Sequence, residues 1–433
     1  MKTVGIIVEY NPLHNGHVYH FEQSKLVSGT DTVVAVMSGS FLQRGEPAIV
    51  CKWARTEMAL RMGADLVLEL PVAYSTQPAE WFAYGAISAL EATGVVDAFC
   101  FGSESGDLEL LRSAARRLHE ADNREAPDHA DMTAGSLTGL APSFQDAIRS
   151  RLKSGLSYPS AYAAAAGRLL AEESEEDWLA KPNNTLGLHY LLALERLHGT
   201  MRPYTIQRQK ADYNQTDISD ERIASATALR KLLSGEADTE AVRPFVPAYT
   251  RRILQREWEA GRAPVSWASF YAPLFARLAV TSPSEMAEFG EVTEGLEHRI
   301  ARCLHEVQPS AGEPFEQLMQ ALKTKRYTRT KLQRMMTRIL LNHRKIDLSP
   351  DLLRGGVPYL RVLGFTAAGQ ALLKAMRKTA SVPVVTKAAS FRHPFLDMDI
   401  RSATVHASAY RQPSKAELFR DYYEPPVRLA DEV

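Results

Sequence analysis

Four short runs rich in Val, Ile, Leu and Phe, at residues 3–9, 31–38, 65–70 and 97–101, alternate with helix-patterned stretches at 16–27, 51–62 and 78–93. This alternation constrains the fold more than any other feature of the chain. Each run has strand length and is apolar on both faces, as a strand covered from both sides must be. Strand–helix alternation of this kind closes up as a parallel, doubly wound sheet of the α/β class. Such sheets take ligands beyond the carboxyl ends of their strands, where strand order reverses. His14 and His17 follow the first strand, and Gly102-Ser-Glu104 follows the fourth. If those two strands are neighbours, both loops line one crevice.

The first strand runs directly into Tyr10-Asn-Pro-Leu-His-Asn-Gly-His17. Asn11-Pro12 breaks the strand and a helical pattern starts at Asn15. The two histidines therefore sit beside a helix N-terminus, whose free N–H groups and dipole hold phosphate. Imidazoles aimed there can stabilise the charge that builds when a phosphoanhydride is broken. Gly16 lets a ligand approach the backbone. An isolated HxGH is more readily a pair of polar turn histidines; the strand–loop–helix setting at the extreme N-terminus favours a ligand site.

The chain has 433 residues, enough for about two or three domains. Lys+Arg and Asp+Glu balance at 51 each, so any basic surface must come from local asymmetry. Cys51, Cys100 and Cys303 are too few and too far apart for a disulfide framework or a CxxC zinc site, and no metal site is expected. No apolar stretch approaches membrane-spanning length, so a cytoplasmic protein without a membrane partner is expected. Walker A, GxGxxG, HExxH and EF-hand patterns are absent, and the elbow-like Gly102–Gly106 has Glu104 where a nucleophilic serine would stand.

Residues 107–171 read as mostly helical and 172–177 as an acidic surface loop. Pro182 opens a further helix, residues 203–208 read as a further strand leading into a polar loop at 209–217, and Ser225 caps a short helix. Regular alternation ends near 235–263, which divides the chain into a catalytic region at 1–240 and a mainly helical region at 241–433. Within the second, residues 323–345 hold nine Lys or Arg and no acid, among them Lys323, Lys325 and Arg326. Lys331, Arg334 and Arg338 share one helical face opposite Leu332, Met336 and Ile339; charge runs are more often solvated faces, but the absence of acids and the presence of Tyr327 make contact with RNA phosphates the better reading. A second basic stretch lies around 374–387, and Tyr359 and Phe391 are candidates for stacking a base.

Ser225-Ala-Thr-Ala-Leu-Arg230 is the second chemical signal. Ser225 and Thr227 at a helix start, with Arg230 a turn later, can hold nucleotide phosphates and stabilise departing pyrophosphate. By itself the hexapeptide is an ordinary capped helix; beside HxGH it gains weight. Gln43-Arg-Gly-Glu46, and more weakly Lys52 and Arg55, are further candidates near the second strand.

HxGH followed by S-[SA]-T-x-x-R resembles the HIGH-type nucleotidyltransferase superfamily. The phrases EYNPLHNGH (9–17), SGSFLQRGEPA (38–48), FGSE (101–104), PNNTLG (182–187), KTKRYT (323–328) and PYLRVLGF (358–365), in this order, resemble the bacterial tRNA(Met) cytidine acetate ligases. Leu13 stands where an aromatic is usual and Ala224 where a serine is common; neither removes a reactive group. The resemblance implies a Rossmann-like doubly wound sheet with a mainly helical C-terminal region. It implies activation of acetate by ATP, with Mg²⁺, to acetyl-adenylate, then transfer to the wobble cytidine of elongator tRNA(Met), with no protein partner required. His14, His17 and Arg230 would be catalytic. ATP contacts would fall on Ile7, Val8, Glu9, Tyr10, Asn11, Pro12, Leu13, His14, Asn15, Gly16, His17, Val18, Tyr19 and His20, and on Gly102, Asn183, Arg208, Ser225 and Thr227. Asn183 could equally cap its own helix. A small-molecule adenylyltransferase and a non-catalytic RNA-binding protein remain the alternatives.

Overall fold

Side-chain alternation along the strands sets the layering. In β1 (Thr3–Val8), Val4, Ile6 and Val8 face one side of the sheet, joined by Val33, Ala35 and Met37 of β2 (Thr32–Ser38). Val34 and Val36 turn to the other side, with Leu66, Leu68 and Leu70 of β3 (Leu66–Leu70) and Phe99 and Phe101 of β4 (Ala98–Ser103). Both faces are apolar, so both must be covered. Helices Asn15–Ser28, Lys52–Met62 and Ala248–Glu259 cover the first, and Ala79–Ala92 and Pro182–Arg196 the second. This is a computed structural model, and it describes residues 2–124, 144–156, 158–169, 178–208, 224–233 and 239–429. The expected acidic loop at 172–177, the polar loop at 209–217 and the start of the 235–263 boundary lie outside the described residues.

β5 (Arg202–Gln207) completes a parallel array in the order β5-β4-β1-β2-β3. β1 and β4 are neighbours, and strand order reverses between them. A crevice therefore opens beyond their carboxyl ends, as the sequence led one to expect.

The C-terminal half returns to this sheet. β6 (Leu360–Phe365) pairs antiparallel with β3, and β7 (Val384–Val385) and β8 (Val427–Arg428) pair with β6. A break at 240 thus does not divide the sheet, whose last three strands come from beyond it. The helical character expected there is present, but Leu332, Met336 and Ile339 pack into the same core as Leu68 and Tyr74.

A buried ion network fastens the returning chain. Lys52 Nζ lies 2.8 Å from both carboxylate oxygens of Glu69 and 2.8 Å from Asp421 Oδ1, while Arg361 of β6 lies 3.6 Å from Asp421. All four side chains are buried. Lys52 is therefore a structural cation, not a ligand contact. No helix among the described residues is long and apolar enough to cross a membrane, and the three cysteines are free.

Candidate active site

The helix Asn15–Ser28 starts with histidines in capping roles that Ser and Glu usually fill. The Gly16 N–H donates to His14 Nδ1 at 3.1 Å, and the His14 N–H donates to His17 Nδ1 at 3.3 Å. Each Nδ1 is thereby an acceptor, so in the neutral rings the proton sits on Nε2. The rings stack with centroids 3.8 Å apart, and Tyr10 packs edge-on against His17. No acidic residue occupies the first turn, which leaves the positive end of the helix dipole unneutralised.

Burial, then the nearby charges of Arg208 and Arg230, pulls His14 down to about 3. Enclosure followed by Arg208 takes His20 to about 4, and enclosure with His14 and His20 alongside holds His17 well below its ordinary value. All three imidazoles are neutral at physiological pH. They are hydrogen-bond donors, not cations.

The wall across the crevice is built from the ends of β4 and β5. Gly102 pairs with Ile206, and a Cβ on it would lie 3.3 Å from Arg208 Cγ and 3.9 Å from His20 Cδ2. The missing side chain keeps Arg208 and His20 together over the strand end. Asn183 does not cap its own helix. That task falls to Glu104, whose carboxylate accepts from Asn183 N at 3.0 Å and Asn184 N at 2.7 Å. The Asn183 amide donates to Glu104 at 2.6 Å, and its oxygen accepts from Arg208 Nη1 at 3.4 Å. Glu104 was missed as a site residue. Its signal was the helix start at Pro182, preceded by a lysine with no capping oxygen.

Ser225 caps the helix Ala226–Leu233 through Oγ, which accepts from Ala228 N at 3.1 Å. Arg230 reaches back to the histidine loop, donating to Asn11 O at 2.9 Å and Thr227 Oγ1 at 3.3 Å, and pairing with Glu46 Oε1 at 3.0 Å. The two sequence signatures thus meet in space. Glu46 belongs to the loop 39–50, which is held from several directions. Glu9 Oε1 accepts from Ser38 Oγ at 3.1 Å and Gln43 N at 2.7 Å, and Asn11 Oδ1 accepts from Ile49 N at 2.7 Å. Thr337 Oγ1 donates to Gly45 O at 2.6 Å, and His406 Nε2 meets Ala48 O at 2.7 Å. Gly45 has φ +77°, and a Cβ there would lie 2.3 Å from Arg334 N, so only glycine fits. Arg55 is buried beneath, donating to the carbonyls of Glu9, Ser38 and Gly39.

Of the first-loop residues, Val8, Tyr10 and Leu13 bury their side chains in the core. Asn15 Nδ2 is bonded to Pro244 O at 3.0 Å. His14, His17, His20, Gly102, Asn183, Arg208, Thr227 and Arg230 are the ones brought around the crevice.

The basic run at 323–345 behaves differently from its sequence. Arg338 is fully buried and donates to Val72 O at 3.3 Å and Thr76 O at 2.6 Å. Lys331 and Arg334 both pair with Glu291, Arg326 with Glu294, Arg329 with Glu316 and Arg344 with Glu288. The face read as free for RNA is turned inward and neutralised by acids from residues 288–316. Lys323 and Lys325 alone of the proposed RNA contacts are exposed without an ion pair among the described residues. Tyr359 is likewise core, its hydroxyl 2.6 Å from Asp399 Oδ2, so it cannot stack a base.

A helix N-terminus bearing two neutral imidazole donors, set at the switch point of a parallel sheet, is the geometry of nucleotidyl transfer. The family model for HIGH Nucleotidyl Transferase matches residues 1–421. The tRNA(Met) cytidine acetate ligase of Bacillus subtilis (strain 168) is 40% identical over all of this chain and 98% of its own length. That of Acetivibrio thermocellus is 38% identical over 96% of each chain. The crystal structure of Thermotoga maritima TmcAL bound with alpha-thio ATP superposes with a TM-score of 0.85 at 32% identity, covering 99% of this chain and 100% of that one. The chain belongs to the tRNA(Met) cytidine acetate ligase family.

Proposed function

We propose that this enzyme activates acetate with ATP as acetyl-adenylate and transfers the acetyl group to the wobble cytidine of elongator tRNA(Met). The observation that carries this reading is the stacked, neutral His14–His17 pair, with Nδ1 atoms engaged by backbone and Nε2–H groups left to donate. In the first half-reaction an acetate oxygen attacks the α-phosphorus, the bond to the bridging oxygen breaks, and pyrophosphate leaves. The Nε2–H donors and the helix N-terminus stabilise charge on the phosphoryl oxygens, and Arg230 with Thr227 meets the departing pyrophosphate. In the second, the cytidine amine attacks the acetyl carbonyl, the acyl–phosphate bond breaks, AMP leaves and the amine proton passes to solvent. Mg²⁺ bound with the triphosphate would supply further neutralisation of the phosphate charge. The crevice imidazoles have their Nδ1 atoms taken, and the nearby Glu9 carboxylate is engaged by Ser38 and Gln43, a donor set that fits contact through water and not a protein cage.

Nucleoside mass spectrometry tests the reading. Unmodified tRNA(Met), incubated with the enzyme, ATP and isotopically labelled acetate, gains one labelled acetyl group on cytidine. Protein that exchanges pyrophosphate into ATP but leaves the tRNA unlabelled would point instead to a small-molecule adenylyltransferase.

A further inference from the structure

We infer that the RNA backbone is received along the sheet edge beyond β6, by exposed cations of residues 374–401, and not by the run at 323–345. The inference rests on the reading that the acceptor is a tRNA. Residues 366–401 contain Lys374, Arg377, Lys378, Lys387, Arg392 and Arg401, against the acids Asp397 and Asp399. All six cations are exposed, and none has an ion pair among the described residues. Asp399 is buried, spent on Val72 N at 2.6 Å and the Tyr359 hydroxyl. The segment therefore shows solvent a strong positive excess in a chain whose net charge is zero. The 323–345 run, richer in sequence, is cancelled by Glu288, Glu291, Glu294 and Glu316.

Placement agrees with charge. In the helix Ala367–Thr379, Lys374, Arg377 and Lys378 share an outer face at i, i+3 and i+4, while Leu372 and Met376 bury the inner one. Lys387 and Arg392 flank the turn that follows β7, and Arg401 stands on the outside of the helix Pro394–Ala407. The inner side of that helix carries His406, bonded to the loop that holds Glu46 against Arg230. β6 lies three strand spacings from β1, roughly 14 Å. The helix Pro394–Ala407 is fastened just beyond the carboxyl end of β3, through Asp399 to Val72 N, whereas the helix Ala367–Thr379 is tied to Asp65 and Thr93 at the amino-end side of the sheet. Lys387, Arg392 and Arg401 would therefore flank the loop that enters the crevice, and Lys374, Arg377 and Lys378 the stem leading away from it.

The test uses full-length protein and unmodified tRNA(Met) transcript. One variant carries Lys374→Ser, Arg377→Ser and Lys378→Ser; a second carries Lys387→Ser, Arg392→Ser and Arg401→Ser. A control carries Arg326→Ser and Arg329→Ser. Affinity is measured across a KCl series, with the unfolding midpoint as the check on folding. Each triple variant should weaken binding at least tenfold at low salt and reduce the slope of log K against log salt by roughly two to three, while the control changes little. Wild-type affinity and slope in both triple variants would overturn the assignment, and loss of binding in the control alone would return the site to 323–345. Wild-type protein that neither binds nor acetylates the tRNA would instead sink the functional reading beneath it.

Discussion

Replacing His17 with alanine removes two interactions of different kinds. The Nε2–H donor aimed at the phosphoryl oxygens is lost, and so is the Nδ1 acceptor of the His14 N–H at 3.3 Å. The second loss is a helix-capping bond, worth about 1 kcal/mol of stability. The first acts on the rate. Deleting one donor to a developing oxyanion slows reaction by about 10²–10³-fold. Because enclosure holds His17 well below its ordinary pKa, it donates as a neutral ring, which places the effect near 10²-fold, about 2.7 kcal/mol. ATP–pyrophosphate exchange with acetate reads this step without tRNA. The same assay tests the charge state. With His14 at about 3, His20 at about 4 and His17 held well below its ordinary value, no imidazole in the crevice titrates in the ordinary histidine range around pH 6.5. The exchange rate should show no histidine inflection there. A wild-type rate that falls as pH rises through 6.5, with the inflection absent from the variant, would mean that imidazolium does the work and would refute the neutral-donor argument.

Glu46→Gln should lower the KM for ATP by about two- to fivefold, since a partly buried carboxylate no longer competes with phosphate for Arg230. In an Arg230→Ala background, itself raised in KM and lowered in kcat, the same change should do nothing; equal shifts in both backgrounds would break the link. Lys52→Met should destabilise the protein by about 3–5 kcal/mol, read as a fall in the urea midpoint, because Glu69 and Asp421 are left buried with Arg361 as their remaining cation. A loss below about 1 kcal/mol would show the network to be dispensable. Burial lowers His406 to about 4, so below pH 6.5 the unfolded chain binds a proton that the native state refuses until about pH 4. Its contribution is therefore full above pH 6.5 and declines at about 1.4 kcal/mol per pH unit as pH falls towards 4. His406→Asn should flatten the dependence of the urea midpoint on pH by that amount, and an unchanged slope would contradict the assignment.

The five parallel strands and the two signatures at 14–17 and 225–230 were legible because each is written locally, in periodicity or in a short motif, whereas the adjacency of β1 and β4 stood only as a condition until the strands were paired. What escaped the sequence is written in pairs far apart. Arg338 and Lys331 look like a solvated face until Val72, Thr76 and Glu291 are brought against them. Lys52 reads as a spare cation on a helix, although its partners stand at 69 and 421. The antiparallel return of β6 has no local mark, since PYLRVLGF is simply a strand and nothing in it names β3 as its neighbour. Glu104 lay in plain view in FGSE, but its role depended on a helix 78 residues further on.

The pairing of β3 with β6 also sets a schedule for synthesis. Residue 70 leaves the ribosome 290 residues before residue 360. At about 5–20 residues per second that interval is roughly 15–60 s. Throughout it the Leu-Val-Leu-Glu-Leu edge of β3 presents unpaired N–H and C=O groups on an apolar strand, and Glu69 waits for the arginine that will lie opposite it. Such an edge is a template for pairing with another chain. A chain ended before residue 360 is expected to keep that edge open, so truncation at 240 should give a fragment prone to association through β3 and not a separately folded half.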